Sequence, residues 1–411
     1  MPDSLVEDPS DCQDENIGKQ LRAGFEIRNF NPSHYSSSVN SVLELLQKLV
    51  RIPSVNPEGD PHVSPGGEKA MADFLADYLG SLGFQITLDE ALPGRPNLIA
   101  RAPGSDDRPR ILLGPHLDTV GVAGMTIEPY SAEVADGKVH GRGTSDTKGP
   151  MAAMIWGLKN NAHLLSELPV AVDFIGFMGE ESSQPGSRHF AEHRAHEYEF
   201  AIVGEPTSLQ AVYCTKGCLW ATIEAKGKST HASQPHLGEN AIMKLNRELA
   251  RLDKDFRNQI AKASHPILGS STINIGMISG GTRPNIVPSH ASAQIDIRTV
   301  PLFIKDQTAA TQLKEYLKGV EVTQIAESPP MEMKPDHPWL TKLKNAHPDL
   351  VLTGAPWFSD AAHLSAAGLP SICLGPGSID QAHTADEFIN ISDLEAGAAW
   401  FTQLIRSLHS Q

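Results

Sequence analysis

The chain has 411 residues, more than one hydrophobic core usually serves, so two domains or one domain carrying an insertion is expected. Hydrophobic residues at 40% and charged residues at 20% are ordinary globular values, which excludes a disordered chain. A net charge of -15 excludes a nucleic-acid partner, because binding a phosphate backbone needs clustered Lys and Arg.

In chain order, residues 1–38 lack apolar periodicity and read as an N-terminal extension rather than a domain. The polar, acidic first twenty residues resemble neither a signal nor a transit peptide, and no apolar run approaches membrane-spanning length. Cys12, Cys214, Cys218 and Cys373 are too few and too scattered for a disulfide framework, so a reducing, cytoplasmic setting is expected. Cys214 and Cys218 read as two reduced thiols on one strand face.

Helix-period apolar residues follow at Val42, Leu45, Leu46 and Leu49, and again at Met71, Phe74, Leu75, Tyr78, Leu79 and Leu82. Apolar runs at 97–100, 110–113, 170–178, 201–203 and 371–374 read as strands, with helical stretches such as 151–165 between some of them. That alternation predicts an α/β layer fold with a mixed, largely parallel sheet. From 213 to 326 the pattern changes to alternating strands at 220–225, 272–278 and 291–297 around a helix at 240–260. These predict an inserted α+β unit, leaving 39–212 and 327–411 to form the main domain.

Polar clusters sit directly after several of the predicted strands, where open α/β sheets place their sites. His116 and Asp118 lie two apart in an extended segment and share a face, so one can bind a metal while the other orients it. Asp146 sits on the Gly-rich turn 141–149, placed either to bridge two cations or to cap a helix. Glu180 and Glu181 end the run 170–178 and point opposite ways, which suits one carboxylate holding an ion and the other taking a proton from activated water. Glu205 and His383 follow two further strands. Together His116, Asp146, Glu181, Glu205 and His383 supply two imidazoles and three carboxylates, a ligand set for two divalent ions.

In these motifs, and in Gly204-Glu205-Pro206-Thr207, Lys216-Gly217, Asp296-Ile297-Arg298 and 374–383, the chain resembles the M20 family of zinc amidohydrolases and exopeptidases. The local likeness is greatest to its acetylornithine deacetylase and succinyl-diaminopimelate desuccinylase members. The resemblance runs from about residue 41 to the end. It implies a zinc-exopeptidase-like catalytic domain with a lid and dimerisation insert, and two zinc ions, with cobalt or manganese as substitutes. Asp146 would bridge the ions, His116 and Glu205 would lie on opposite ones, and Glu181 and His383 would complete the shells. The resemblance further implies that Asp118 orients His116, that Glu180 is general base and later acid, and that the Asp146-Thr147 peptide is cis. His231, in Gly227-Lys228-Ser229-Thr230-His231, would reach the partner subunit's site in a homodimer. Asn285 and Arg298 would bind the substrate carboxylate. The implied reaction is cleavage of an N-acyl amino acid, with a short peptide as the alternative substrate.

Other chemistries fit less well. A P-loop starting from Gly227-Lys228-Ser229 would need Gly where Thr222 stands, and no Gly-x-Ser-x-Gly elbow occurs. A non-catalytic metal-dependent binding protein would be marked by loss of the base, yet Glu180 and His231 are both present.

Overall fold

The computed structural model describes residues 25–27, 39–58, 67–105 and 107–409; the rest of the extension, with Cys12, lies outside them. Its central sheet runs Phe25–Ile27, Gln85–Leu92, Arg95–Arg101, Ala171–Gly176, Arg110–Pro115, Phe200–Gly204, Ser371–Cys373, Ala211–Thr215 and Met331–Glu332, and Leu352–Ala355 also pairs with Ala211–Thr215. The four strands from Ala171–Gly176 to Ser371–Cys373 are mutually parallel, whereas the strand adjoining them on each side pairs antiparallel. Chain economy explains the difference: Gln85–Leu92 turns into Arg95–Arg101 through Pro93 and Gly94, the latter at φ 72, while parallel neighbours need helical crossovers.

Apolar side chains leave both faces of the central strands, so both faces are covered. Ile111 and Leu113 pack with Leu45, Met71, Met151 and Phe401, from the helices Val42–Val50, Gly67–Ser81, Lys148–Asn160 and Ile391–His409. Leu112 points the other way, into a core with Phe190 and Leu364 from the helices Pro185–Arg194 and Ala361–Ala366. A fully buried Leu in such a layer is worth about 2–5 kcal/mol against Ala.

The insert folds as a separate four-stranded antiparallel sheet, in the order Thr272–Gly280, His290–Thr299, Gly217–Lys226, Glu321–Ser328. Its helix is capped by Asn240, runs Ala241–Arg251, passes through a π-turn at Leu252–Phe256 and ends at Arg257–Ile260. Leu219, Ile223, Leu245, Phe256, Ile295 and Ile297 form its own core. Two strands straddle the expected boundaries: Ala211–Thr215 lies wholly in the central sheet and Glu321–Ser328 wholly in the second. The latter escapes the alternation test because Gln324 sits at φ 47 opposite a register shift at Trp220/Thr222.

One expectation is corrected here. Cys214 and Cys218 are not on one strand, since the chain crosses between sheets at Lys216 and puts them on Ala211–Thr215 and Gly217–Lys226 respectively. Both are free and buried, as is Cys373. Among the described residues no helix is long and apolar enough to cross a membrane.

Candidate metal centre

The four parallel central strands all end at one edge of the sheet, and the loops beyond them carry the polar residues. His116 extends Arg110–Pro115 by one residue, bridging to Phe177, and Glu205 directly follows Phe200–Gly204. Glu180 and Glu181 come after a turn at Gly179, whose φ of 76 admits a side chain only with strain. His383 stands on the loop after Ser371–Cys373, at φ 62. Asp146 precedes the cis peptide Asp146-Thr147 on the turn entering the helix Lys148–Asn160. Thr147, not Asp146, occupies the cap position of that helix, so the capping alternative for Asp146 does not hold.

Asp146 lies between the two imidazoles, with Oδ1 at 3.0 Å from Nε2 of His116 and Oδ2 at 3.4 Å from Nε2 of His383. The His383 ring also meets Glu181, at 3.1 and 3.0 Å from its two oxygens. Ligand atoms of His116, Asp146 and Glu181 fall within 4.8 Å of one another. Nδ1 of His116 is 2.9 Å from the carbonyl oxygen of Asp118. A carbonyl only accepts, so Nδ1 carries a proton; burial opposes a second, but the Asp118 and Asp146 carboxylates outweigh it and hold His116 well above its ordinary range, so that without a metal Nε2 donates to Asp146, the place a bound cation would take.

Asp118 therefore orients the ring chiefly through its main chain, with its carboxylate Oδ1 at 3.6 Å from Nδ1. The carboxylate accepts instead from the backbone amides of Glu180, at 3.1 Å, and Glu181, at 3.0 Å, and from the Asn56 amide at 2.7 Å. This clamp explains a difference from the sequence reading. The two glutamates sit in a turn rather than on extended chain, yet their side chains still diverge, Glu181 to His383 and Glu180 to the amide of Gln184 at 2.9 Å.

Burial dominates the electrostatics. It lifts Glu180 and Glu205 well above the ordinary carboxylate range, assisted at Glu180 by the negative charge of Glu205, and lifts Glu181 to about 6. Asp146 and Asp118 go the other way: bonds from His116 and His383 outweigh burial at Asp146 and hold it well below that range, and bonds from His116, Asn56 and the Glu181 amide outweigh burial at Asp118 and lower it. Its bonds to Asp146 and Glu181 raise His383 to about 10. Glu205 Oε1 is buried with no hydrogen-bond partner among the described residues. Unpartnered buried carboxylate beside further carboxylates is costly without cations, so the chemistry of this donor set, with His116, Asp146 and Glu181 mutually close, fits divalent cations.

The insert's candidates lie apart from this cluster. His231 is exposed on a loop bridged to Ile286, and its Ala232 neighbour donates to the Asn285 carbonyl at 3.0 Å, so His231 and Asn285 are adjacent. The Ser233 amide donates to His231 Nδ1 at 3.2 Å, which leaves the proton of a neutral ring on Nε2. Arg298 directs Nε and Nη2 at Asp296, both at 2.9 Å, with its guanidinium 5.4 Å from the centre of the Phe358 ring.

Sequence reasoning missed three buried residues here. Asp360 is fully buried at the start of Ala361–Ala366, and neither oxygen meets a donor at hydrogen-bond geometry among the described residues. Burial raises it to about 7, and the nearby Ser187 hydroxyl only tempers this. Glu387 accepts from the amides of Gly143, Ser145 and Asp146 and from Arg142, and so fixes the turn that carries Asp146. Gln184 bonds to Glu180. Only Glu387, four residues past His383, sits close to a predicted ligand in an acidic pattern a reader could have flagged.

The family model for peptidase family M20/M25/M40 matches residues 112–407. An acetylornithine deacetylase from Vibrio cholerae is 31% identical over 366 residues, covering 85% of this chain and 93% of the relative. Among solved structures, an M20 family metallo-carboxypeptidase from Sulfolobus solfataricus superposes with a TM-score of 0.72 at 17% identity, covering 91% of this chain and all (100%) of that one. A dinuclear metal-binding peptidase of the M20 family from Bacillus subtilis gives a TM-score of 0.62 at 16% identity, covering 90% and 98%. The chain belongs to peptidase family M20/M25/M40 and is a metal-dependent hydrolase.

Proposed function

We propose that the protein hydrolyses the amide bond of an N-acyl amino acid, releasing a carboxylate and the free amino acid, as a cytoplasmic homodimer. The observation that carries this reading is the division of labour between neighbouring carboxylates: Glu181 meets His383 at 3.0 Å, while Glu180 turns away toward Gln184. Likeness to acetylornithine deacetylases at 31% identity favours an N-acyl substrate over a peptide. The carboxypeptidase likeness is one of fold.

Two divalent ions, zinc first and cobalt or manganese as substitutes, would be held by His116, Asp146, Glu181, Glu205 and His383. When bound they acidify a water and polarise the scissile carbonyl. Asp118 fixes the glutamate turn and the His116 ring. Glu180 takes the proton of the attacking water and returns it to the leaving amine. His231, with its donor on Nε2, is suited to stabilise the developing oxyanion in the partner's site. Asn285 and Arg298 bind the substrate carboxylate, Arg298 giving up part of its pair with Asp296.

Dimerisation through the second unit is supported by the apolar side chains exposed around His231. Ile242 and Ile286 line a cavity of about 590 Å³ together with Arg283, and with the exposed Leu237 and Met243 they give a second copy an apolar surface to bury.

The test is amine release from N-acetyl amino acids, N-succinyl amino acids and dipeptides, with zinc- or cobalt-loaded protein and a chelated control. Chelator-sensitive turnover greatest on an N-acyl amino acid is expected. Turnover confined to dipeptides would replace the deacylase with a peptidase, and turnover unaffected by chelation would remove the metal chemistry.

A further inference from the structure

The residue that touches Glu180 is not one of the metal-centre candidates. Gln184 has no exposed surface, stands at φ 55 as the cap residue before Pro185–Arg194, and uses its whole side-chain amide. Its Nε2 donates to Glu180 Oε1 at 2.9 Å. Its Oε1 accepts from the Ser328 hydroxyl at 2.9 Å and meets His363 Nε2 at 3.1 Å.

These contacts define the amide's direction. Turned over, the amide would set its oxygen against the Glu180 carboxylate, lone pairs facing lone pairs. As it stands, every contact pairs a donor with an acceptor, provided His363 is neutral with its proton on Nε2. Burial lowers His363 to about 4, so it is neutral across the physiological range.

The three anchors come from separate parts of the fold. Gln184 belongs to the turn after a central strand, His363 to the helix Ala361–Ala366, and Ser328 ends the strand Glu321–Ser328 of the second sheet, paired with Cys218. The bond to Gln184 engages Oε1 of Glu180 and leaves Oε2 as the oxygen available for proton transfer.

We infer that Gln184 is a positioning residue for the general base, held in the one useful amide orientation by Ser328 and His363, so that the carboxylate of Glu180 is registered to the end of the second sheet. This rests on Glu180 being the base. A mobile base transfers protons less well because its productive geometry is only partly populated.

The test uses full-length, metal-loaded enzyme on its best N-acyl substrate, with metal content and thermal midpoint measured for each variant. Gln184→Leu keeps the volume and removes all three contacts, to Glu180, Ser328 and His363. It is expected to lower kcat by about 10–100-fold, a part of what general-base catalysis contributes, with KM and bound metal near wild type. Ser328→Ala should lower kcat several-fold and Ser328→Thr, which restores the hydroxyl, should recover it. In the Gln184→Leu background Ser328→Ala should cost nothing more, since both act through one bond chain.

Glu180→Gln separates the two ideas. If it is inactive while Gln184→Leu keeps the wild-type kcat, the positioning role is overturned and the base stands. If Glu180→Gln retains turnover, both are overturned. Should Gln184→Leu fail to fold, the Ser328 pair decides: equal kcat for Ser328→Ala and Ser328→Thr overturns the inference, and loss with recovery supports it.

Discussion

Nδ1 of His116 donates to the main-chain carbonyl of Asp118 at 2.9 Å, while the Asp118 carboxylate grips the amides of Glu180 and Glu181. One residue thus serves both the imidazole and the glutamate turn, by different atoms. Substitution at Asp118 leaves the carbonyl in place and removes the grip.

Asp118→Ala should consequently lower kcat by about 10–100-fold while His116 keeps its ring orientation, the usual scale for losing a supporting partner of a metal site. Steady-state kinetics with metal analysis by mass spectrometry checks this. A variant that loses all metal and all activity together would move the carboxylate's role to the ring.

Stability of the metal-free protein should fall as pH rises from 5 to 8. Burial raises Glu181 to about 6 and Asp360 to about 7, so these groups stabilise best when protonated and lose that advantage as pH passes through those values. His383, raised to about 10, contributes stability that is complete below the ordinary histidine value and drains away toward pH 10. Asp146, held low, costs stability only under strong acid. Thermal midpoints in chelator should decline across the range, and excess zinc should lift the alkaline end most. A midpoint that climbs with pH in chelator would contradict the burial argument.

If His231 completes the partner's site, two dead variants should rescue each other. His231→Ala and Glu180→Gln homodimers should each be nearly inactive, while refolding an equal mixture should return about a quarter of wild-type activity, from one intact site in each mixed dimer. No recovery, with mixed dimers demonstrated, would place His231 in its own chain's chemistry or outside it.

Glu387→Ala should destabilise the fold by about 3–5 kcal/mol, because Arg142 would lose its buried partner and three amides their acceptor. Chemical denaturation measures the loss. A change within error would mean that water replaces the carboxylate.

The positions of several polar residues at one sheet edge were readable because each follows an apolar run, and such a run on a doubly covered sheet delivers its next polar residue to one edge. His116 after Leu113 and Glu205 after Val203 are read that way. Gln184 and Asp360 were not, since both lie on turns whose burial depends on helices distant in sequence. The strand Glu321–Ser328 was hidden because its irregularity at Gln324 breaks the alternation, and the split of Cys214 from Cys218 by a crossing at Lys216 that no periodicity marks. The roles of Asn285 and Arg298 rested on the family likeness alone, and the Asp296 pair shows why local pattern could not supply them.

The three described cysteines have a practical consequence. Burial pushes the thiols of Cys214 and Cys218 up to about 12 and that of Cys373 well above its usual value, so the nucleophilic thiolate is scarce at neutral pH. In the folded enzyme these sulfurs are shielded from alkylating reagents, and labelling at them becomes a clock for the opening of each layer: Cys218 for the second sheet, Cys214 and Cys373 for the central one.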